Sequence, residues 1–504
     1  MATQHADIVL TTLNARYMHS AFGLRYLMAN LNELESSASL IEFTIQEQAL
    51  NIAEKLLAYQ PKIIGFSVYI WNVREITDIV TLIKQISPEI KIILGGPEVG
   101  HYPDVPTVCD LADYVISGPG EKSFRELSQQ LLSNNRPEQK YIDGEGTPLD
   151  QLTMPYHLYD NDDIRNRLIY VEASRGCPFK CEFCLSALDK SATAFPLENF
   201  LTEMDALWQR GVRNFKFIDR TFNLKVSTSV RILEFFLERM SDDLYLHFEV
   251  IPDNLPDKLK EILKQFPANS LQFEIGVQTF DSDIQTLISR KQNNDKTREN
   301  IAWLREHTGA HLHTDLIFGL PSDSLDNFAD SFNQLVALNP HEIQLGILKR
   351  LRGAPLNRHI EPYGLNYNPQ APYNILSTNS VDFMTMQRVN RFARFWDMIA
   401  NSGRFLNTLP MILGDNPFDR FMQLSDRLYD LSGSTWKIAL KRLFELLFVV
   451  TTEDFGIDAN LIKAHLKLDY ARAGVKGLPD YEALPSLNKT AKVGVANKRQ
   501  RSHA

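Results

Sequence analysis

Cys177, Cys181 and Cys184 lie in the stretch SRGCPFKCEFC, and together they are three of the four cysteines in a chain of 504 residues. Their C-x3-C-x2-C spacing puts three soft thiolates on one short loop. Three thiolates are one too few for the paired four-ligand arrangement of a structural zinc site, and no H-x3-5-H partner follows them. They suit an iron-sulfur cluster with one iron left open to a further ligand. A zinc site completed by Cys109 or by a distant histidine is the competing reading. Four cysteines are too few for a disulfide framework, and clustered thiols in a reducing compartment point to metal or redox chemistry.

The elements around this loop give it a place. RLIYVEASRG, NFKFIDRTFN, LYLHFEVI, SLQFEIGVQTF, HLHTDLIFGLP and EIQLGILKRL are six strand-like segments, each followed by a helical stretch or loop. They predict a partial (β/α)6 barrel of the TIM type over residues 168–360, with the cysteines in the loop after its first strand, where barrel chemistry is sited. Ahead of it, DIVLTTL, KIIGFSVYI, KIILGGPE and ADYVISGPG are short buried strands alternating with helices at 23–34, 49–59 and 73–86. This is the pattern of a doubly wound, Rossmann-like α/β domain over residues 1–135, whose ligands sit at the carboxyl ends of the strands. Residues 136–167 are polar, carry Pro and Gly, and read as linker. Residues 361–485 read as a mainly helical domain, and 486–504 as a disordered basic tail.

The bulk composition narrows the function. Hydrophobic content of 44% with 23% charged residues belongs to a globular protein, and a net charge of -9 gives no general attraction to nucleic acid or anionic lipid. No apolar run reaches membrane-spanning length, and MATQHADIVLTTL lacks the regions of a signal peptide, so a cytoplasmic location without membrane contact is expected.

The three-cysteine loop after the first strand of a partial barrel resembles the radical S-adenosylmethionine (SAM) enzymes, and the aromatic Phe183 before Cys184 fits their pattern. The resemblance implies a 4Fe-4S cluster on Cys177, Cys181 and Cys184, whose open iron chelates SAM and cleaves it to a 5'-deoxyadenosyl radical. It further implies SAM contacts from Phe183, Asp219, Glu249, Gln278 and Arg290, at or near the ends of barrel strands. The second strand departs from the common Gly-Gly-Glu form, with Ile218, Asp219 and Arg220 near that place. Each polar residue also has a structural reading: Asp219 and Glu249 as satisfied barrel-interior groups, Gln278 as an ordinary strand end, Arg290 as the partner of a barrel carboxylate. Gly319 in DLIFGLPSD could serve only the turn before Pro321.

Ser67 and the pair Gly95-Gly96 end two predicted strands of the N-terminal domain, where small residues admit a large ligand to the backbone. The G-x-G-x-x-G turn of a dinucleotide site is missing after the first strand. These residues resemble the cobalamin-binding domain that precedes many radical SAM enzymes. The cobalt-ligating Asp-x-His-x-x-Gly motif is replaced by Tyr17, His19 and Gly23 as Y-x-H-x3-G, with His19 a candidate ligand or simply a hydrogen-bonded loop residue.

Together the resemblances imply a cobalamin-dependent radical SAM methyltransferase acting on an unreactive carbon of a small-molecule or peptide substrate. They also imply an electron donor such as flavodoxin or ferredoxin. Radical oxidation, cyclisation or ring rearrangement without methyl transfer is the alternative within enzymes. A cobalamin or iron-sulfur sensor is the alternative outside them. FWDMIANSGRF and LSGSTWKIALKRLF combine aromatic and basic residues that could stack on a nucleotide, but at helical spacing they read first as core and solvated face.

Overall fold

The computed structural model describes residues 5–474, so the predicted basic tail at 486–504 lies outside the described residues. The chain divides into two compact units. Among the described residues, the first comprises 5–219, 349–357 and 368–374, and the second 220–348, 358–367 and 375–474.

In the first unit, β1 (Ile8–Asn14), β2 (Ala38–Thr44), β3 (Ile63–Ser67), β4 (Lys91–Gly95), β5 (Tyr114–Ser117) and β6 (Tyr141–Asp143) form one parallel sheet in the order β2-β1-β3-β4-β5-β6. β1 is buried at every position because it sits inside the sheet and is covered on both faces. Val9, Leu13, Ile64, Ile92 and Leu94 pack on one side with Ile76, Ile79, Val80 and Ile83 of the helix Val73–Ile86. Ile8, Leu10, Ile63, Ile93 and Ile116 pack on the other with Leu24 of the helix Phe22–Ala29 and with Phe124 and Leu127 of Glu121–Leu132. Helices on both faces of a parallel sheet make the domain doubly wound. Its strand order reverses between β1 and β3, which opens a ligand crevice beyond their carboxyl ends.

Two parts of this sheet depart from expectation. β2, with sequence ASLIEFT, carries Glu42 and is buried only at Phe43, so it lacks the apolar run that marks the other strands. The helix expected over 23–34 ends at Ala29, and Asn32 takes a left-handed backbone at the start of a separate short 3-10 turn, Asn32–Ser37.

Residues 136–167, which read as linker, are structured. They supply β6, a short turn at Tyr156–Leu158 and the capped helix Asn161–Asn166. Tyr156 and Tyr159 are fully buried. Asp163 joins the buried cluster Arg25, Glu42 and Arg167, with Arg25 Nη1 2.6 Å from Glu42 and Nη2 2.7 Å from Asp163. Isolated aromatic anchors and an ion cluster hold this stretch, so it shows no periodicity.

Each of the six expected segments contains a strand, and three further two- or three-residue strands, Thr193–Ala194, Asn366–Tyr367 and Ile375–Ser377, lie outside them. β7 (Ile169–Val171) is followed by the two-residue strands β8 (Ser174–Arg175) and β9 (Thr193–Ala194), which pair antiparallel across the base of the cysteine loop. β10 (Asn214–Phe217) pairs parallel with β7. In the second unit, β11 (Tyr245–Val250), β12 (Leu271–Gln278), β13 (His311–Phe318) and β14 (Glu342–Ile347) form a parallel ladder. Alternation divides its faces. Leu246, Phe248, Phe273, Ile275, Leu312 and Leu316 are buried, while His247, Glu249, Gln272, Glu274, His313 and Asp315 share the opposite face.

The C-terminal part is helical over Phe383–Ile399, Pro417–Ser432, Leu440–Val449 and Ala459–Ala473. Phe332 meets Phe392, Trp396 and Phe418 edge to face, and Phe421 meets Phe392 and Trp396 the same way, so the aromatic residues of the first helix serve its core. No helix among the described residues is long and apolar enough to cross a membrane.

Candidate active site

The cysteine loop is built by strand ends and a forced turn. Gly176 has φ of +87°, and a Cβ there would fall 2.2 Å from the Ser191 carbonyl, so only glycine admits this path into Cys177. The Cys177 amide then donates to Asp189 O at 3.2 Å, and the Cys184 amide to Cys181 O at 3.1 Å. All three thiols are reduced and partly exposed, whereas Cys109 is buried, with its thiol pushed up to about 12 by that burial. Cys109 packs in the apolar core of the first sheet with Val108 and Ala112, where a cysteine serves as a small apolar side chain.

Among the described residues no three His, Cys, Asp or Glu side chains are gathered into a ready metal cage. The fit to a 4Fe-4S cluster therefore rests on the donor set: three accessible thiols on one loop, with a backbone path that only glycine allows.

Asp219 does not stand free for a ligand. It is 3% exposed, and its carboxylate accepts from Ala173 N at 3.0 Å and Ser174 Oγ at 2.6 Å, both at the entry to the cysteine loop. Burial raises it to about 7, against the two hydrogen bonds. Phe183 is half-buried within the loop itself.

The other predicted SAM-contacting residues lie in the second unit. Glu249 takes both oxygens to Arg220 Nη1, at 3.1 and 3.0 Å. Gln278 ends β12 at a register shift with φ of +70°, a conformation non-glycine residues hold only where the surroundings enforce it. Arg290 reaches the same bulge, donating to Gly276 O and to Gln292 Oε1. Gly319 has φ of +92° and serves the turn before Pro321, which Asp323 locks by accepting from Gly319 N at 3.1 Å.

On the polar face of this ladder, His247 meets Glu274 at 2.9 Å, His311 meets Glu342 at 3.1 Å, and His313 meets Asp315 at 3.3 Å. Burial pulls His313 down, but Asp315, Glu342 and Glu274 outweigh it and hold the imidazole above its usual range. Burial likewise raises Asp315. Sequence reading named only Glu249 from this face. The alternation in LYLHFEVI and HLHTDLIF carried the signal.

In the first unit, Ser67 and Gly95 are direct partners across β3 and β4. A Cβ at Gly95 would have nothing nearer than Ile116 O at 3.8 Å, so that strand end is open to close approach. Gly96 is different: with φ of +104° and a Cβ position 2.5 Å from Val68 O, it is required by the fold itself. Asn72, fully buried, ties β1 to β3 by donating to Thr12 Oγ1, Leu13 O and Ser67 O. Tyr69 and Trp71 stack 4.4 Å apart beside it. His19 Nδ1 lies 2.7 Å from Tyr170 OH, and burial, with Lys216 and Arg16, lowers its pKa. Its neutral form keeps Nε2 as a donor atom for a metal. Gly95 at the end of β4, the Tyr69–Trp71 pair after β3 and His19 after β1 all follow carboxyl ends of this sheet's strands, where a doubly wound domain takes its ligand.

Comparison with known proteins gives these sites a family context. Residues 8–128 match the B12 binding domain, residues 171–335 the radical SAM superfamily, and residues 361–500 a protein family of unknown function, DUF4080. The chain thus carries a B12-binding domain followed by a radical SAM domain and a helical C-terminal region.

It is 27% identical over 375 residues to the cobalamin-dependent radical SAM methyltransferase TokK of Streptomyces tokunonensis, a match that covers 65% of this chain and 52% of TokK. It is 26% identical over 373 residues to the 2-(S-pantetheinyl)-carbapenam-3-carboxylate methyltransferase of Streptantibioticus cattleyicolor, covering 65% and 52%. The chain spans about half the length of these relatives. Its fold is similar to that of the cobalamin-dependent SAM radical enzyme OxsB, with a TM-score of 0.63 at 14% identity over 93% of this chain and 84% of OxsB.

Proposed function

We propose that this protein is a cobalamin-dependent radical SAM methyltransferase that acts on an unreactive carbon of a small-molecule or peptide substrate. The observation that carries the reading is the placing of the three-cysteine loop and the open Ser67/Gly95 strand ends within one compact unit. When bound, the cluster supplies the electron that cleaves SAM, and cobalamin supplies the methyl group.

The chain's own residues position and enclose. Cys177, Cys181 and Cys184 would hold the cluster through their thiolates, one ligand short of the usual four. Phe183, Glu249, Gln278 and Arg290 are the proposed SAM contacts, and Asp219 instead fixes the approach to the cysteines through Ala173 and Ser174. Ser67, Gly95 and the face of His19 opposite Tyr170 receive cobalamin, while Gly96 sets the path of the loop. The His247, Glu274, His313 and Asp315 face suits a polar substrate that needs several hydrogen-bond partners. Radical SAM enzymes need a reductant, and a flavodoxin or ferredoxin fills that role here.

Anaerobic reconstitution with iron, sulfide and hydroxocobalamin, followed by incubation with SAM, a reductant and cell extract, tests the reading. The expected result is 5'-deoxyadenosine together with a product heavier by one methylene. A product that has lost hydrogen without gaining carbon would instead establish oxidation or cyclisation. A loaded protein that forms no 5'-deoxyadenosine would favour a sensor.

A further inference from the structure

Two sets of contacts tie the cysteine loop to the B12-binding region, one directly and one through a segment after the last barrel strand. The first centres on Arg175, two positions ahead of Cys177. Its Nη1 donates to Glu121 at 2.6 Å and its Nε to Glu172 at 2.8 Å, while the guanidinium lies 4.3 Å from the Tyr26 ring centre. Glu121 begins the helix that follows β5, and Tyr26 belongs to the helix after β1. Glu172 lies just past β7. One planar cation therefore joins the first barrel strand to two helices of the B12-binding domain, and lysine could not reproduce its fork.

The second grip uses residues 349–357, which follow the last barrel strand. The Leu356 amide donates to Glu182 O at 2.9 Å, and Glu182, 5% exposed, lies between Cys181 and Cys184. This strap is anchored in turn on the loop that follows Gly96. Arg352 Nε donates to Glu98 at 2.9 Å and Arg350 to Asp104 at 2.6 Å, with a further bond from Arg352 to Asp104. Glu98, 3% exposed, also accepts from Tyr373 OH at 2.8 Å. Gly353 takes φ of +73°, and a Cβ there would strike the His101 ring.

We propose that these two clamps couple the loops after β4 and β5 to the cysteine loop, with Arg175 and Arg352 as positioning residues that act through Glu121 and Glu98. A ligand that orders the loops after β4 and β5 thereby orders the segment that carries the cysteines, and by linkage the coupling runs both ways. That the ligand is cobalamin rests on the function proposed above; the clamps themselves do not.

Amide hydrogen exchange of the full-length chain tests this, using Glu121→Gln and Glu98→Gln. Both variants keep side-chain shape, remove charge on the B12-binding side, and leave every residue of the cysteine loop unchanged. In the cofactor-free chain, each variant is expected to speed exchange in residues 174–189 by about tenfold, the scale of one charged hydrogen bond. Exchange in His311–Phe318 serves as the unaffected reference for folding. Adding hydroxocobalamin to the wild type is expected to slow exchange in residues 174–189, and Arg175→Lys is expected to bind it with that slowing lost.

Unchanged exchange in both glutamine variants overturns the proposal. So does hydroxocobalamin that binds the wild type without slowing the loop. A wild type that binds no hydroxocobalamin overturns the cofactor reading instead, and the two glutamine variants then decide the clamps alone.

Discussion

Asp219 sits 3% exposed against Ala173 N and Ser174 Oγ, with its pKa raised to about 7 by burial. An acid raised in the folded state keeps a proton that the unfolded chain releases from about pH 4 upward. Its stabilising share is therefore complete below about pH 4 and lost as pH rises through about 7. Asp219→Asn should flatten that part of the curve, so the thermal midpoint of the variant gains on the wild type between pH 5 and 8. Parallel curves in a melting series would reject this account of Asp219. The cysteines give a second contrast at this scale. Replacing Cys177, Cys181 or Cys184 by alanine should abolish stable cluster binding, seen as lost iron and sulfide per chain, while Cys109→Ala should leave it intact. Cys109 is fully buried with its thiol held protonated, so it serves the core.

At the scale of elements, the ends of β3 and β4 separate what the fold requires from what a ligand requires. Gly96→Ala forces a side chain onto Val68 O in a left-handed conformation, which should cost about 1–3 kcal/mol and lower the melting temperature. Gly95→Ala meets nothing closer than 3.8 Å and should melt like the wild type, yet weaken hydroxocobalamin binding measured by equilibrium dialysis. The same contrast shows what the sequence revealed. β1, β3 and β4 are runs of Ile, Val and Leu buried on both faces, so their pattern is local and legible. β2 was not, because its purpose is partly to carry Glu42, which accepts from Asn14, Ala21 N and Arg25. Residues 136–167 were not, because Tyr156, Tyr159 and Asp163 act through distant partners. In the site, the cysteines declare themselves by type and spacing alone. Asp219 and Arg175 do not, since a polar residue at a strand end looks the same whether it faces a cofactor or holds a loop.

For the whole molecule, a B12-binding domain precedes a radical SAM domain, and the first unit holds both the cysteine loop and the Ser67/Gly95 strand ends. On the proposed function, this chain forms a radical from SAM and uses cobalamin with it. The most direct measurement is 5'-deoxyadenosine formed by the anaerobically reconstituted, chemically reduced full-length protein, with bound iron and cobalt determined on the same sample. Stoichiometric cobalt, iron sufficient for a 4Fe-4S cluster, and 5'-deoxyadenosine that disappears in Cys181→Ala are expected. A protein that carries cluster and SAM yet forms no 5'-deoxyadenosine, or one that binds no cobalamin under these conditions, would contradict the proposed function.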